Sequence, residues 1–257
     1  MDEKIRRIIE AFVREYKIKL ETKTSWHEPL VAFADAKDPL FKKLKSVIAP
    51  SHNTPNELLK DAKTVVSYFI PFERRIALSN VRGKSSSREW AIAYIETNRL
   101  IGDLNEHLSK RLKDLNFRST ILPATHNFDR ETLISNWSHK HAAFIAGLGG
   151  FGLHRMFITE RGCCGRLGSF ITNAKARPTK RSNKEFCLYN YDGSCKICVE
   201  KCIFGALTNE SFDKHKCHSI CAANSKLHSS IGLADTCGKC VCVVPCSFEN
   251  PVEAPAI

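Results

Sequence analysis

Ten of the twelve cysteines in this chain lie after residue 186. No other feature limits the possible folds as strongly. A short stretch this dense in thiols builds either a disulfide framework or metal sites. The chain opens on "MDEKIRRIIEAFVREYKIK", which is charged and amphipathic, with Ile5, Ile8, Ile9, Phe12, Val13 and Tyr16 on one helical face. It does not read as a secretion signal. The expectation is therefore a cytoplasmic protein with reduced, metal-binding cysteines. No apolar run approaches the ~20 residues of a membrane helix, so no membrane partner is expected.

The cysteines fall into two imperfect copies. The first is Cys187-x7-Cys195-x2-Cys198-x3-Cys202 and the second is Cys217-x19-Cys237-x2-Cys240-x5-Cys246. Each has a distant cysteine, a tight C-x2-C pair and a fourth cysteine soon after. This is a two-cluster bacterial ferredoxin pattern stretched by insertions, in which the fourth cysteine of each copy serves the other cluster. A C-x2-C turn sets two thiolates at adjacent corners of a cube, and a fourth cysteine that begins the next helix reaches across. The spacing predicts one [4Fe–4S] cluster on Cys187, Cys195, Cys198 and Cys246. It predicts a second on Cys217, Cys237, Cys240 and Cys202. Cys221 competes with Cys217, and Cys242 with Cys246. Two four-cysteine zinc sites are the alternative, but the C-x2-C-x3-C run in "CKICVEKC" has no zinc-ribbon logic.

Charge divides the chain at the same place. Residues 187–257 carry six lysines, no arginine and seven acidic residues, about −1, leaving about +13 of the total +12 on residues 1–186. That balance suits an acidic partner such as RNA, an anionic cofactor or an acidic electron carrier; a solvated basic surface is the simpler reading. The basic, Pro-containing "NAKARPTKRSNKE" marks the boundary, giving domains 1–180 and 181–257.

In the first 186 residues the pattern predicts an α+β domain: helix 2–19, a strand in "PLVAFADA", a helix over 38–48, a capped turn at "TPNE", a strand in "TVVSYFIPF", a long serine-started helix, a strand in "RSTILPA", a helix over about 133–146, and two strands in "HRMFITERGCCGRLGSFITN". Gly147, Gly149 and Gly152 spell G-x-G-x-x-G. The order here is helix, glycines, strand, the reverse of a dinucleotide-binding opening, so that reading is rejected. The glycines are then open to another reading, the simplest being that they turn a helix into a strand.

"HAAFIAGLGGFGLHRMFITERGCCGRLGSFIT" followed by the stretched cysteine segment resembles the epoxyqueuosine reductase superfamily, whose relatives include reductive dehalogenases. The resemblance covers about residues 25–250. It implies a nitroreductase-like α/β domain followed by a small two-cluster ferredoxin-like domain, with a cobalamin held above the two clusters. It also implies electrons supplied by a ferredoxin or flavodoxin. Candidate cofactor-binding residues are Gly147, Gly149, Gly152, His139, Arg166 and Gly168; no catalytic residue is assigned. Epoxyqueuosine reductases carry an acidic D-T-G-P motif about fourteen residues before the G-L-G. Counting back from Gly147 reaches Leu133, and His139 and Lys140 stand at the family's Glu-Arg pair. The helical repeats that many of them use on tRNA are not in this sequence. The expectation is an iron–sulfur reductase of unsettled substrate. Alternatives are a ferredoxin-like protein that reduces a separate corrinoid protein, and an enzyme acting on tRNA. Cys163 and Cys164 read as reduced loop thiols, His139 and His141 as helix-surface histidines. Trp26, His27 and Glu28 either cap the core or line the pocket.

Overall fold

The computed structural model describes residues 1–253. Its elements are α1 (Asp2–Leu20), β1 (Leu30–Asp35), α2 (Pro39–Val47), α3 (Pro55–Leu58), β2 (Thr64–Pro71), α4 (Arg74–Ser79), α5 (Arg88–Lys113), β3 (Ser119–Ile121), α6 (His139–Ala146), β4 (Gly149–Phe151), β5 (Phe157–Thr159), β6 (Gly165–Thr172), α7 (Leu188–Asp192), α8 (Ile197–Glu200), α9 (Lys214–Leu227) and a 3-10 turn at Lys239–Val241. The fold is mixed α and β around an antiparallel sheet.

Four strands run in the order β1-β2-β6-β3, each pair antiparallel. "TVVSYFIP" is apolar at almost every position because the sheet is covered on both faces, and all eight residues of β2 are buried. Val31, Phe33, Val66, Tyr68, Ile70 and Phe170 share one face and pack under α1 and α5, against Ile5, Ile9, Leu100, Leu104 and Leu108. Ala32, Ala34, Val65 and Ile171 take the other face. Alanines also line α6, at 142, 143 and 146, so this helix packs close to the sheet.

The long helix α5 starts where the serines predict, with the Ser87 side chain accepting from the Trp90 N–H at 3.0 Å. Thr54 and Glu57 form the expected capping box of α3. The helix expected over 133–146 begins only at His139, on a Ser138 cap. Upstream, the Asp129 carboxylate accepts from the N–H groups of Glu131 and Thr132, and Leu133 takes a left-handed φ of 52°. Those local turns displace the first helical turns. The run "LHRMFIT" is not one strand. Residues 149–151 and 157–159 form a two-stranded hairpin of their own, with Gly149 opposite Thr159 and Phe151 opposite Phe157.

The cysteine segment folds against this body. Leu207, Val241 and Val244 share an apolar cluster with Phe72, Trp90, Leu153 and Ile158.

Candidate metal centres and the adjoining cavity

Cysteines gather at two cavities, four at one and six, Cys163 and Cys221 among them, at the other. Cys187, Cys195, Cys198 and Cys246 line one small, nearly closed cavity together with His154. Cys187 is the residue before α7, Cys195 and Cys198 flank the start of α8, and Cys246 arrives from the last loop. Cys202, Cys217, Cys237 and Cys240 line part of a second, larger cavity. Cys217 lies on α9, Cys237 just before the 3-10 turn and Cys240 within it. Neither Cys202 nor Cys246 begins a helix; each sits in a turn, so the reach across comes from loops rather than from helix starts.

Of the competing thiols, Cys242 lines neither cavity, while Cys221 lines the second one beside Cys217. Cys242 is fully buried, accepts from the Asn80 Nδ2 at 3.4 Å and hydrogen-bonds to Cys164. Cys221 lies one turn beyond Cys217, and its thiol donates to Cys217, which pulls the Cys217 thiol down to about 7. Cys163 and Cys164 are buried rather than exposed on a loop. The N–H groups of both donate to the Ser247 carbonyl, at 3.2 and 3.0 Å, tying the turn before β6 to the end of the cysteine segment.

Within each set some thiols resist ionisation on their own, while Cys217 and Cys246 are lowered by the thiols that donate to them, Cys221 and Cys163. Burial pushes the Cys198 thiol up to about 12, and the nearby sulfurs of Cys246, Cys187 and Cys195 add to it. Cys240 is raised in the same way by burial and by Cys237, Cys217 and Cys202. Clustered sulfurs that raise one another's cost of ionisation, as Cys198 and Cys240 show, suit a multivalent cationic core, which would hold them as thiolates. Soft sulfur donors in fours fit iron–sulfur clusters.

The larger cavity holds about 360 Å³. Besides the Cys202 set, its wall carries Phe72, Trp90, Tyr94, Phe128 and Arg166. Trp90 and Tyr94 are one turn apart on α5 and so face the same way. Four polar side chains gather here. The Tyr94 hydroxyl donates to the Asp235 carboxylate at 2.5 Å, and the other Asp235 oxygen lies 3.0 Å from the His126 Nε2. The Arg166 guanidinium stacks 4.4 Å above the Tyr94 ring. Its Nε is buried without a hydrogen-bond partner. Burial raises the Tyr94 hydroxyl's pKa and lowers that of Arg166.

Of the residues proposed to bind a cofactor, Arg166 alone lines this cavity. Gly147 is the left-handed residue that ends α6. A Cβ on Gly149 would sit 1.9 Å from the Ile158 carbonyl oxygen, and one on Gly168 would sit 2.4 Å from the Tyr68 ring. Gly152 lies against the His154 ring. His139 is tied into the fold, with Nδ1 2.7 Å from the Ser169 hydroxyl and Nε2 2.9 Å from the Pro123 carbonyl. The Trp26 Nε1 donates to Thr97, while His27 and Glu28 are exposed, so this stretch caps the core. Tyr94, Asp235 and His126 carry no local sequence signal and meet only through the fold.

Solved structures share this architecture. Epoxyqueuosine reductase from Streptococcus thermophilus aligns with a TM-score of 0.58 and 17% identity over 96% of this chain and 69% of its own. The Bacillus subtilis enzyme, described with a catalytic loop swung out of its active site, aligns at 0.56 with 18% identity over 94% and 66%. The catabolic reductive dehalogenase NpRdhA aligns at 0.54 with 17% identity, over 87% of this chain but 30% of its own. The chain thus spans about two-thirds of the epoxyqueuosine reductases it matches. No family model and no curated protein matches it. At these identities the likeness shows a shared fold, that of the epoxyqueuosine reductases and reductive dehalogenases.

Proposed function

We propose that the chain is an iron–sulfur reductase. Cys187, Cys195, Cys198 and Cys246 would hold one [4Fe–4S] cluster and Cys202, Cys217, Cys237 and Cys240 the other. The observation that carries this reading is that the second thiol set lines a mostly apolar cavity that Tyr94 and Arg166 also line. Bound clusters supply single electrons beside that cavity.

The chain's own residues would handle charge and protons. A reduction that builds negative charge in the cavity is favoured by the Arg166 guanidinium, which lines it. Tyr94 is a proton source in the cavity wall. Its hydroxyl is joined through Asp235 to His126, whose side chain is 37% exposed, so protons entering from solvent reach the cavity along hydrogen bonds.

The occupant of the cavity is a small-molecule substrate or part of a corrinoid. Its 360 Å³ lies at the low end of the ~300–1,000 Å³ usual for ligand pockets, and a whole cobalamin does not fit within it. A corrinoid would have to extend through the open side. The test is anaerobic gel filtration after incubation with hydroxocobalamin. About one retained cobalt per chain supports a corrinoid enzyme. Iron without cobalt leaves either a direct reductase or a protein that passes electrons from a ferredoxin or flavodoxin to a separate corrinoid protein. One observation favours a further reading, an RNA substrate: the +13 carried by residues 1–186. One of the similar structures is an epoxyqueuosine reductase with a modified tRNA stem loop. Salt-sensitive tRNA binding would support that reading.

A further inference from the structure

Gly152 and His154 form a unit within the turn that joins β4 to β5. The Gly152 N–H donates to the Met156 carbonyl at 3.0 Å, and the Arg155 N–H donates to the Gly152 carbonyl at 2.9 Å. The turn is tight enough that the His154 ring folds back over Gly152. A Cβ on Gly152 would lie 2.7 Å from the ring's Cε1 and 3.1 Å from its Nδ1. The third glycine of G-x-G-x-x-G therefore makes room for an imidazole.

That imidazole has its tautomer fixed by the backbone. The Met156 N–H donates to His154 Nδ1 at 3.0 Å, so Nδ1 is the acceptor and Nε2 carries the proton. Nε2 lies 3.3 Å from the Cys246 Sγ, and both residues are buried, His154 at 3% exposure and Cys246 at 8%. The preceding residue works in the same direction: the Leu153 N–H lies 3.5 Å from the Cys187 Sγ. One short turn thus aims two N–H donors at two of the four sulfurs of the first set. The second set has no imidazole on any of its sulfurs among the described residues.

We propose that His154 is a positioning residue that sets the reduction potential of the cluster on Cys187, Cys195, Cys198 and Cys246. The inference rests on the iron–sulfur reading above. Reduction adds one electron to this cluster, and the negative charge spreads onto its sulfurs. A buried N–H···S bond stabilises the reduced form more than the oxidised form and so raises the potential. The two clusters of the chain then differ in potential through a contact made by the glycine hairpin, far in sequence from the cysteine segment. His154, Cys163 and Cys246 also place three ligand atoms within 4.8 Å of one another. If His154 bound metal directly, its loss would remove iron rather than shift a potential.

The experiment uses the full chain purified anaerobically, with iron counted and both clusters followed by EPR during a redox titration. In H154L one midpoint falls and the other stays, with iron unchanged. The expected fall is a tenfold loss in the reduced-to-oxidised ratio at fixed potential, about 59 mV for a one-electron couple. In H154Q, whose amide N–H reaches the same sulfur, the midpoint returns most of the way. Unchanged midpoints in H154L, equal movement of both, or loss of about half the iron overturns the proposal. Wild-type protein without iron overturns the cluster reading itself, a result distinct from any of these.

Discussion

The hydroxyl of Tyr94 lies 2.5 Å from the carboxylate of Asp235, 141 residues further along the chain. The contact joins α5 to the cysteine segment in the wall of the large cavity. Removing the hydroxyl in Y94F deletes a hydrogen bond to a charged acceptor and is expected to lower stability by about 1.5–3 kcal/mol. R166M removes the guanidinium that stacks over the Tyr94 ring and feels the Asp235 carboxylate, and is expected to lower stability by about 0.5–1 kcal/mol. Anaerobic thermal melts of the two variants check both.

Two glycines separate close packing from simple conformational freedom. A methyl group at Gly149 would meet the Ile158 carbonyl oxygen at 1.9 Å, while one at Gly102, inside α5, meets nothing within 4 Å. G149A is expected to open the β4–β5 hairpin and lose more than about 2 kcal/mol. G102A is expected to gain about 0.5–1 kcal/mol, because alanine suits a helix interior better than glycine. Denaturant midpoints measure each.

Stability should fall as the solution is acidified. Burial holds His139 down to about 4, and burial aided by Lys140 holds His141 down to about 4, against 6.5 for a free imidazole. Between those values the unfolded chain binds protons that the folded chain does not. Stability is therefore full above pH ~6.5 and declines as pH falls toward ~4, at no more than about 1.4 kcal/mol per pH unit for each histidine. H139Q should flatten part of that slope in a series of melts. A slope that rises on acidification would contradict the burial of these rings.

The two open ligand choices resolve by substitution. C217S and C246S are each expected to lower bound iron by about half, since each removes one corner of a four-thiol set. C221S and C242S are expected to keep it, because Cys221 hydrogen-bonds to Cys217 and Cys242 faces Asn80 and Cys164. Iron analysis of the four variants decides the matter.

How much of the fold and site is legible in the sequence depends on how local each signal is. The apolar run 64–72 announces a strand because a sheet covered on both faces needs apolar residues on both. The spacing divides eight cysteines into two sets; four line the small cavity, and the other four line the larger one together with Cys163 and Cys221. Hydrophobic spacing starts α6 too early because it does not register the turns made by Asp129 and Leu133. Arg166 stands out in the sequence for its flanking glycines, yet it matters through the Tyr94 ring beneath it. Tyr94, His126 and Asp235 are invisible, since no spacing connects positions 94, 126 and 235. His154 hides beside a glycine motif whose third member makes room for its ring.

Everything proposed for the cavity depends on two four-thiol sets holding two [4Fe–4S] clusters. The most direct test is iron and acid-labile sulfide counted per chain after anaerobic purification. About eight of each is expected. Zinc in place of iron, or an iron count near four, would contradict the two-cluster reading.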